Sequence, residues 1–432
     1  MLRFLLTLLL ISQTALANST NDNPWFEIRK QRISQLLPLA MQKAQIDAWL
    51  ILCRENNNDP LAIHIGCENA GKTAVFAFYF DNNKFESLAF SPIGEATALA
   101  EANIVNKVIP VPRTDSAIDL AAAMVKQQNF ESIAVNISEN NAQADGLSYM
   151  QHKKLSQALG PKLAKRLVYS DELVYQWLAI KLPQEVEIMR QAAELTARWQ
   201  LEAYANVIVG ETTDADVAAF LKQKMAEAGV TDAWASDQNP NVNSGTDRGH
   251  SHATNRIIQA GDVIQTDFGI RVHDTWVTDI QRFAYVLKSG ETKPPSDILR
   301  YWEGAKNGRE AAFKAMKPGV KGIEVDAAQR AIMASNGSLP VMWSTGHPVG
   351  YVAHDTGPNL GGSKSPSLRP AAQRVLQEGM TFAFDGFYSW LLSDGSPKTI
   401  SVEEMVVITQ NGAEYLIPPQ QDLVLIPSGD KK

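Results

Sequence analysis

The segment GHPVGYVAHD, Gly346 to Asp355, sets His347 and His354 seven residues apart in a chain that holds only seven histidines. Imidazoles so placed do chemistry as metal ligands or as proton donors, but only in company with other polar groups. Four carboxylates supply that company. Asp267 ends the apolar run DVIQTDFG, Asp279 opens DIQRFAYV, Asp385 interrupts GMTFAFDGF, and Glu403 lies in SVEEMVVIT. A carboxylate on the inner face of an apolar strand is costly unless it is paired or bound to a cation. With His347, these acids form five candidate metal ligands.

The elements that must carry them are readable in outline. The chain has 432 residues, 45% hydrophobic and 20% charged, which is room for two well-buried cores. A net charge of −7 and a pI near 5.6, with no basic run, exclude nucleic acid as a partner and point to a small solute or peptide. The opening MLRFLLTLLLISQTALA has a charge, a short apolar run and an Ala-Leu-Ala end, the pattern of a signal peptide of residues 1–17. Its apolar run is too short for a retained membrane anchor. The mature protein is therefore expected in the periplasm or outside the cell. Export permits a disulfide between Cys53 and Cys67, the only cysteines, with two buried thiols as the alternative. Each closes an apolar run, AWLILC or AIHIGC, and these runs are expected to be adjacent strands.

Residues 25–170 alternate amphipathic stretches with β-rich runs such as DAWLILC, TAVFAFYF and SIAVNI, which predicts a smaller N-terminal α/β domain. A boundary is expected near 171–180, followed by a long helix opened by Pro183 and a second domain over 180–418. That domain carries a weak internal repeat. Gly210–Gly229 and Gly319–Gly337 each run from glycine through Asp-x-Ala-Ala or Asp-Ala-Ala into a helix ended by glycine. Each is followed by a strand with an aspartate six residues after a glycine, Asp267 and Asp385. Two such halves facing each other would deliver ligands from both to one junction.

Taken together, these motifs resemble the pita-bread metallopeptidases, the group of methionine aminopeptidase, aminopeptidase P, prolidase and creatinase, with the Xaa-Pro peptidases most similar. Asp267 matches the family's D-x-G strand, DIQR its D-x-x-R segment, and His347 and His354 its Gly-His-x-x-Gly turn and later histidine. Glu403 precedes VVIT as the family's last glutamate precedes its V-x-V-T end, and IKLPQEVEIMRQAA is similar to the opening of the catalytic domain. The resemblance implies an α/β pita-bread catalytic fold with pseudo-two-fold symmetry, behind a creatinase-type N-terminal domain. It further implies two divalent metal ions, with Asp267 on one, His347 and Asp385 on the other, and Asp279 and Glu403 bridging. An oxygen-rich set with one imidazole favours Mn²⁺, with Zn²⁺, Co²⁺ or Fe²⁺ as alternatives. A water activated between the ions would attack the scissile amide, with His250 and His354 polarising the carbonyl. His250 lies 17 residues before Asp267, as in prolidase-like members. Short peptides would be the substrates and a homodimer the assembly.

Four departures from the family pattern stand out. Asp385 replaces a glutamate usually credited with proton shuttling, which draws the carboxylate back by about 1.5 Å. Asp267 and Asp279 are twelve residues apart, one more than usual, so RVHDTWVT is expected to bulge. Ser401 stands where many Xaa-Pro enzymes have arginine, and Pro348 follows His347. His252 and His273 read as loop or supporting residues, Trp343 as a packed core side chain, and Asp394 and Glu404 as solvated. The expected function is an exported metal-dependent aminopeptidase or dipeptidase that cuts N-terminal, Xaa-Pro bonds. The alternatives are hydrolysis of another amide or ester on the same fold, or a binding protein without turnover.

Overall fold

The computed structural model describes residues 23–367 and 369–429, so the expected signal peptide lies outside the described residues. Six strands build the first sheet: β1 (Ala48–Arg54), β2 (Thr73–Asp81), β3 (Lys84–Pro92), β4 (Lys107–Val111), β5 (Ile133–Val135) and β6 (Leu167–Tyr169). They lie in the order β4-β3-β2-β1-β5-β6. The centre, Trp49 to Cys53 paired with Ala74 to Phe78, is buried on both faces, which explains its continuous apolar runs. One face packs on the helix Ala117–Gln128, and the other joins the core of the second domain.

Cys53 and Cys67 are joined in a disulfide with Cα atoms 6.3 Å apart. Only Cys53 lies on a strand. AIHIGC instead forms the short helix Ala62–Ile65, which Gly66 ends at a φ of 91°. The expectation of two adjacent strands fails because AIHIG carries a helical turn and a glycine stop, a choice that six residues do not decide. The bond closes a loop with a sequence separation of 14. Reduction is expected to destabilise the protein by about 3 kcal/mol in the chain-entropy account. Urea unfolding with and without reductant checks this, and identical midpoints would contradict it.

His64, on that same short helix, is buried between Trp25, Trp177 and Tyr351, and its Nδ1 has no hydrogen-bond partner among the described residues. Burial, and then the nearby Arg32, push its pKa down from 6.5 to about 3. The unfolded chain therefore binds a proton at this residue before the folded one does. Stability from neutral His64 is complete above pH 6.5 and falls as the pH drops from there towards 3. The stability gap between His64→Phe and the wild type should move in favour of the variant by about 1.4 kcal/mol per pH unit in that window. Denaturant titrations at pH 7, 6 and 5 check it; parallel pH profiles would show that His64 is not the acid-sensitive group.

The second domain is built from β7 (Thr231–Asp232), β8 (Asn241–Asn243), β9 (Val263–Phe268), β10 (Ile270–Val272), β11 (Trp276–Val277), β12 (Ile280–Val286), β13 (Gly346–Pro348), β14 (Thr381–Leu391), β15 (Pro397–Thr409), β16 (Gly412–Tyr415) and β17 (Val424–Ile426). Its two four-stranded sheets run β8-β9-β12-β17 and β13-β14-β15-β16, one order repeated. Each half also contributes a long helix and a shorter one: Pro183–Ala205 with Asp214–Ala228, and Ser296–Ala315 with Gly322–Ser335. The long helices cover β12 in one half and β14 with β15 in the other, and the two sheets meet through β12 and β15. The duplicated halves expected from the sequence are present, although their aspartates are not equivalent. Asp216 accepts from the backbone N–H of Thr213 at its own helix start, a task that falls to Glu324 in the second half, while Asp326 lies buried two residues further on. Among the described residues no helix is long and apolar enough to cross a membrane.

Candidate metal centre

Strand register decides which carboxylates meet. Gln281 stands opposite Asp267 on β12 and β9, and Glu403 stands opposite Asp385 on β15 and β14. Asp279 precedes Gln281 by two residues, so Asp267, Asp279 and Gln281 share one face of the hairpin. The twelve-residue spacing is absorbed without the expected bulge. The β10–β11 and β9–β12 pairings belong to one continuous register, closed by the turn His273–Thr275, where His273 and Asp274 adopt φ of 50° and 55°. A three-residue loop keeps Asp279 on the Asp267 face. His252 is exposed, and His273 sits in that turn with its ring against Trp276, so neither joins the site.

β13 brings in His347. Its Nδ1 lies 3.1 Å from the carbonyl oxygen of Pro348, which can only accept, so Nδ1 carries the proton and Nε2 presents a lone pair. Nε2 is 3.7 Å from a carboxylate oxygen of Asp279 and 3.7 Å from one of Glu403. Burial, and then the neighbouring His354, push His347 down to about 3, which keeps it neutral. A neutral nitrogen and two carboxylates turning lone pairs on one another repel unless a cation lies between them. Donor atoms held about 2.1 Å from one ion stand roughly 3–4 Å apart, the range of both contacts of Nε2. The ligand atoms of Asp279, His347 and Glu403 all lie within 4.8 Å of one another.

The remaining acids adjoin this trio. Asp279, Asp385 and Glu403 are each raised well above the usual carboxylate range, by burial first and then by neighbouring carboxylates. Asp267 Oδ1 is buried and has no hydrogen-bond partner among the described residues. Its Oδ2 is 3.4 Å from Nδ1 of His250, and that contact raises the His250 pKa. The His354 ring stands edge-on to His347 with centroids 4.3 Å apart. Desolvation, and then His250, lower the His354 pKa, leaving a neutral N–H donor at neutral pH. All seven residues singled out by sequence thus converge on one place. The donor chemistry and the orphaned Asp267 oxygen fit divalent cations.

Side chains not singled out hold the site in shape. Consecutive strand residues point to opposite faces, so Gln281 and Glu403 face the site while Arg282 and Glu404 face away. Glu404 is not solvated as expected. It is fully buried, 3.1 Å from Arg282, 3.6 Å from Arg309 on the covering helix, and accepts from Gln420 N at 2.7 Å. Ser401 donates to Gln281 Oε1 at 2.6 Å and accepts from Gln265 at 3.2 Å, a neutral network where the resemblance implied arginine. Trp343 is likewise not a core residue: it is 39% exposed, its ring edge-on to that of His250 with centroids 4.7 Å apart. Arg330 fixes its loop by donating to the carbonyls of Val341 and Trp343 and to Asp326, which also accepts from Thr345 at 2.6 Å. The pair spaced four apart on one helix, Asp326 and Arg330, is visible in the sequence as an ion pair but not as a brace for Thr345, whose carbonyl accepts from Asp385 N at 2.7 Å.

The profile of Metallopeptidase family M24 matches residues 187–410, which contain all seven of these side chains. The chain belongs to this family. It is an enzyme, a metallopeptidase, with the mixed α/β pita-bread fold. This M24 member is 26% identical over 295 residues to a probable dipeptidase PepE of Mycobacterium tuberculosis, covering 66% of this chain and 70% of that protein. It is 23% identical over 343 residues to an Xaa-Pro dipeptidase of Pyrococcus furiosus, covering 77% and 90%. In fold it is similar to an X-Pro aminopeptidase from Thermotoga maritima, with a TM-score of 0.68 at 22% identity, over 90% of this chain and all of that one.

Proposed function

We propose that this M24 metallopeptidase is an exported dipeptidase or aminopeptidase that cleaves the N-terminal bond of short Xaa-Pro peptides with two divalent cations. The observation that carries the reading is the lone pair of His347 Nε2 turned on the carboxylates of Asp279 and Glu403. Asp267, Asp279, His347, Asp385 and Glu403 would hold the two cations in this proposal, and Mn²⁺ suits the oxygen-rich donors. When bound, the cations supply Lewis acidity and a water acidic enough to act near neutral pH. His354 and His250, neither of them in the donor trio, donate to the substrate carbonyl as its oxygen gains charge. The Xaa-Pro preference is supported by the similarity to Xaa-Pro peptidases.

Export is supported by the signal-peptide pattern of residues 1–17, and a homodimer by the family resemblance alone. Metal analysis of the purified protein, with a panel of Xaa-Pro and Xaa-Ala dipeptides and tripeptides, tests the function. Two bound divalent ions and preferred turnover of Xaa-Pro peptides are expected. Metal without peptide turnover would shift the reading to another amide or ester, and the absence of metal would overturn it.

A further inference from the structure

The His354 ring receives no side-chain hydrogen bond among the described residues; its neighbour is the His347 ring. Its position is therefore set by the backbone of the loop Val349–Thr356, and that loop is held in part from outside the catalytic domain. The carboxylate of Asp355, the next residue, accepts four bonds: from Lys181 Nζ at 3.1 Å, Gln143 Nε2 at 2.8 Å, Tyr351 N at 3.0 Å and Thr356 N at 2.8 Å. Gln143 lies in the short 3₁₀ helix Ala142–Ala144 that follows β5 of the first sheet. Beside it, Asn141 Nδ2 donates to Thr356 Oγ1 at 3.3 Å. A Cβ at Gly350 would collide with the Lys181 and Asp355 side chains, so glycine is what lets the loop close down on the pair.

The other side of the loop is fixed in the same way. Tyr351 donates its hydroxyl to Glu185 at 2.6 Å, and Glu185 is paired with Arg32 of the N-terminal segment, both fully buried. Arg271 donates to the Tyr351 carbonyl at 2.8 Å. His354 is thus the free end of a loop whose two flanks are tied to residues 32 and 141–143.

We propose that the N-terminal domain is a working part of the active site, with Gln143 a positioning residue that sets His354 through the carboxylate of Asp355. The proposal rests on the role given to His354 above. Removing Lys181 would strand a buried charge on Asp355 and threaten folding, so Gln143, neutral and half-buried, is the residue to change. Displacement of a catalytic donor by a fraction of an ångström is enough for a kcat loss of about tenfold in Gln143→Ala. Metal content and KM should stay as in the wild type.

A double-substitution cycle separates positioning from a general structural effect. If Gln143 acts through His354, then Gln143→Ala costs nothing further in a His354→Ala background. Additive losses, or full activity in Gln143→Ala, would overturn the proposal. A second readout needs no turnover. In zinc-loaded protein labelled at histidine Cε1, where seven signals are assignable by substitution, Gln143→Ala should shift or broaden His354 and leave His347 in place. An unmoved His354 signal would overturn the proposal even if no peptide were cleaved by any form of the enzyme, whereas a shifted signal without turnover would leave the placement standing and remove only the peptidase reading.

Discussion

Asp385→Ala is expected to lose one of two bound metal ions and most of the turnover. Asp385 stands directly opposite Glu403 in the ladder, and its carboxylate is buried beside Asp267 and Asp279. The strand has little freedom to bring a shorter side chain closer. Asp385 N is bonded to the Thr345 carbonyl, and a Cβ at Gly386 would collide with the backbone of the helix Ser296–Ala315, so sheet and helix are already in contact there. The ion shared with His347 should therefore be the weaker of two sites in a metal titration. Asp385→Ala should abolish that site and spare the one that includes Asp267. Asp385→Glu restores about 1.5 Å of reach and should tighten it. Unchanged stoichiometry and turnover in Asp385→Ala would remove this residue from the centre.

His354→Ala should lower kcat by about 10² to 10³, the size of effect seen when a donor to a developing oxyanion is removed. Bound metal should change little, because His354 lies against the His347 ring and outside the trio of Asp279, His347 and Glu403. Its depressed pKa keeps it an uncharged N–H donor through the neutral range. Kinetics with parallel metal analysis checks the assignment; metal and activity lost in equal proportion would make His354 a ligand instead.

Both sites of substitution are legible in the amino-acid sequence, because the chemistry is carried by residue types at fixed spacings. A buried aspartate in an apolar run needs a partner wherever the run lies, so Asp267, Asp279, Asp385 and Glu403 declare themselves. The glycine-flanked His347 declares itself in the same way. The duplication is readable too, since helix stops and strand patterns repeat when two halves share one backbone plan. AIHIGC misleads because six apolar-rich residues fit a strand or a helical turn equally well.

What the sequence determined by itself is the set of reactive groups, their division between two halves, and the alternation that puts Asp267 and Asp279 on one face once a three-residue turn joins their strands. Tertiary structure alone decided what covers each face. Glu404 follows Glu403 and looks like a solvated acid, yet the reverse of β15 is roofed by the helix Ser296–Ala315, which supplies Arg309, while β12 supplies Arg282. Trp343 looks like core, yet its loop is lifted to the rim of the site by Arg330. Gln143 and Asp355 are more than two hundred residues apart and share no pattern, and only the docking of one domain on the other joins them. Periodicity reports which way a side chain points along its own element, whereas burial depends on what other elements bring to that face.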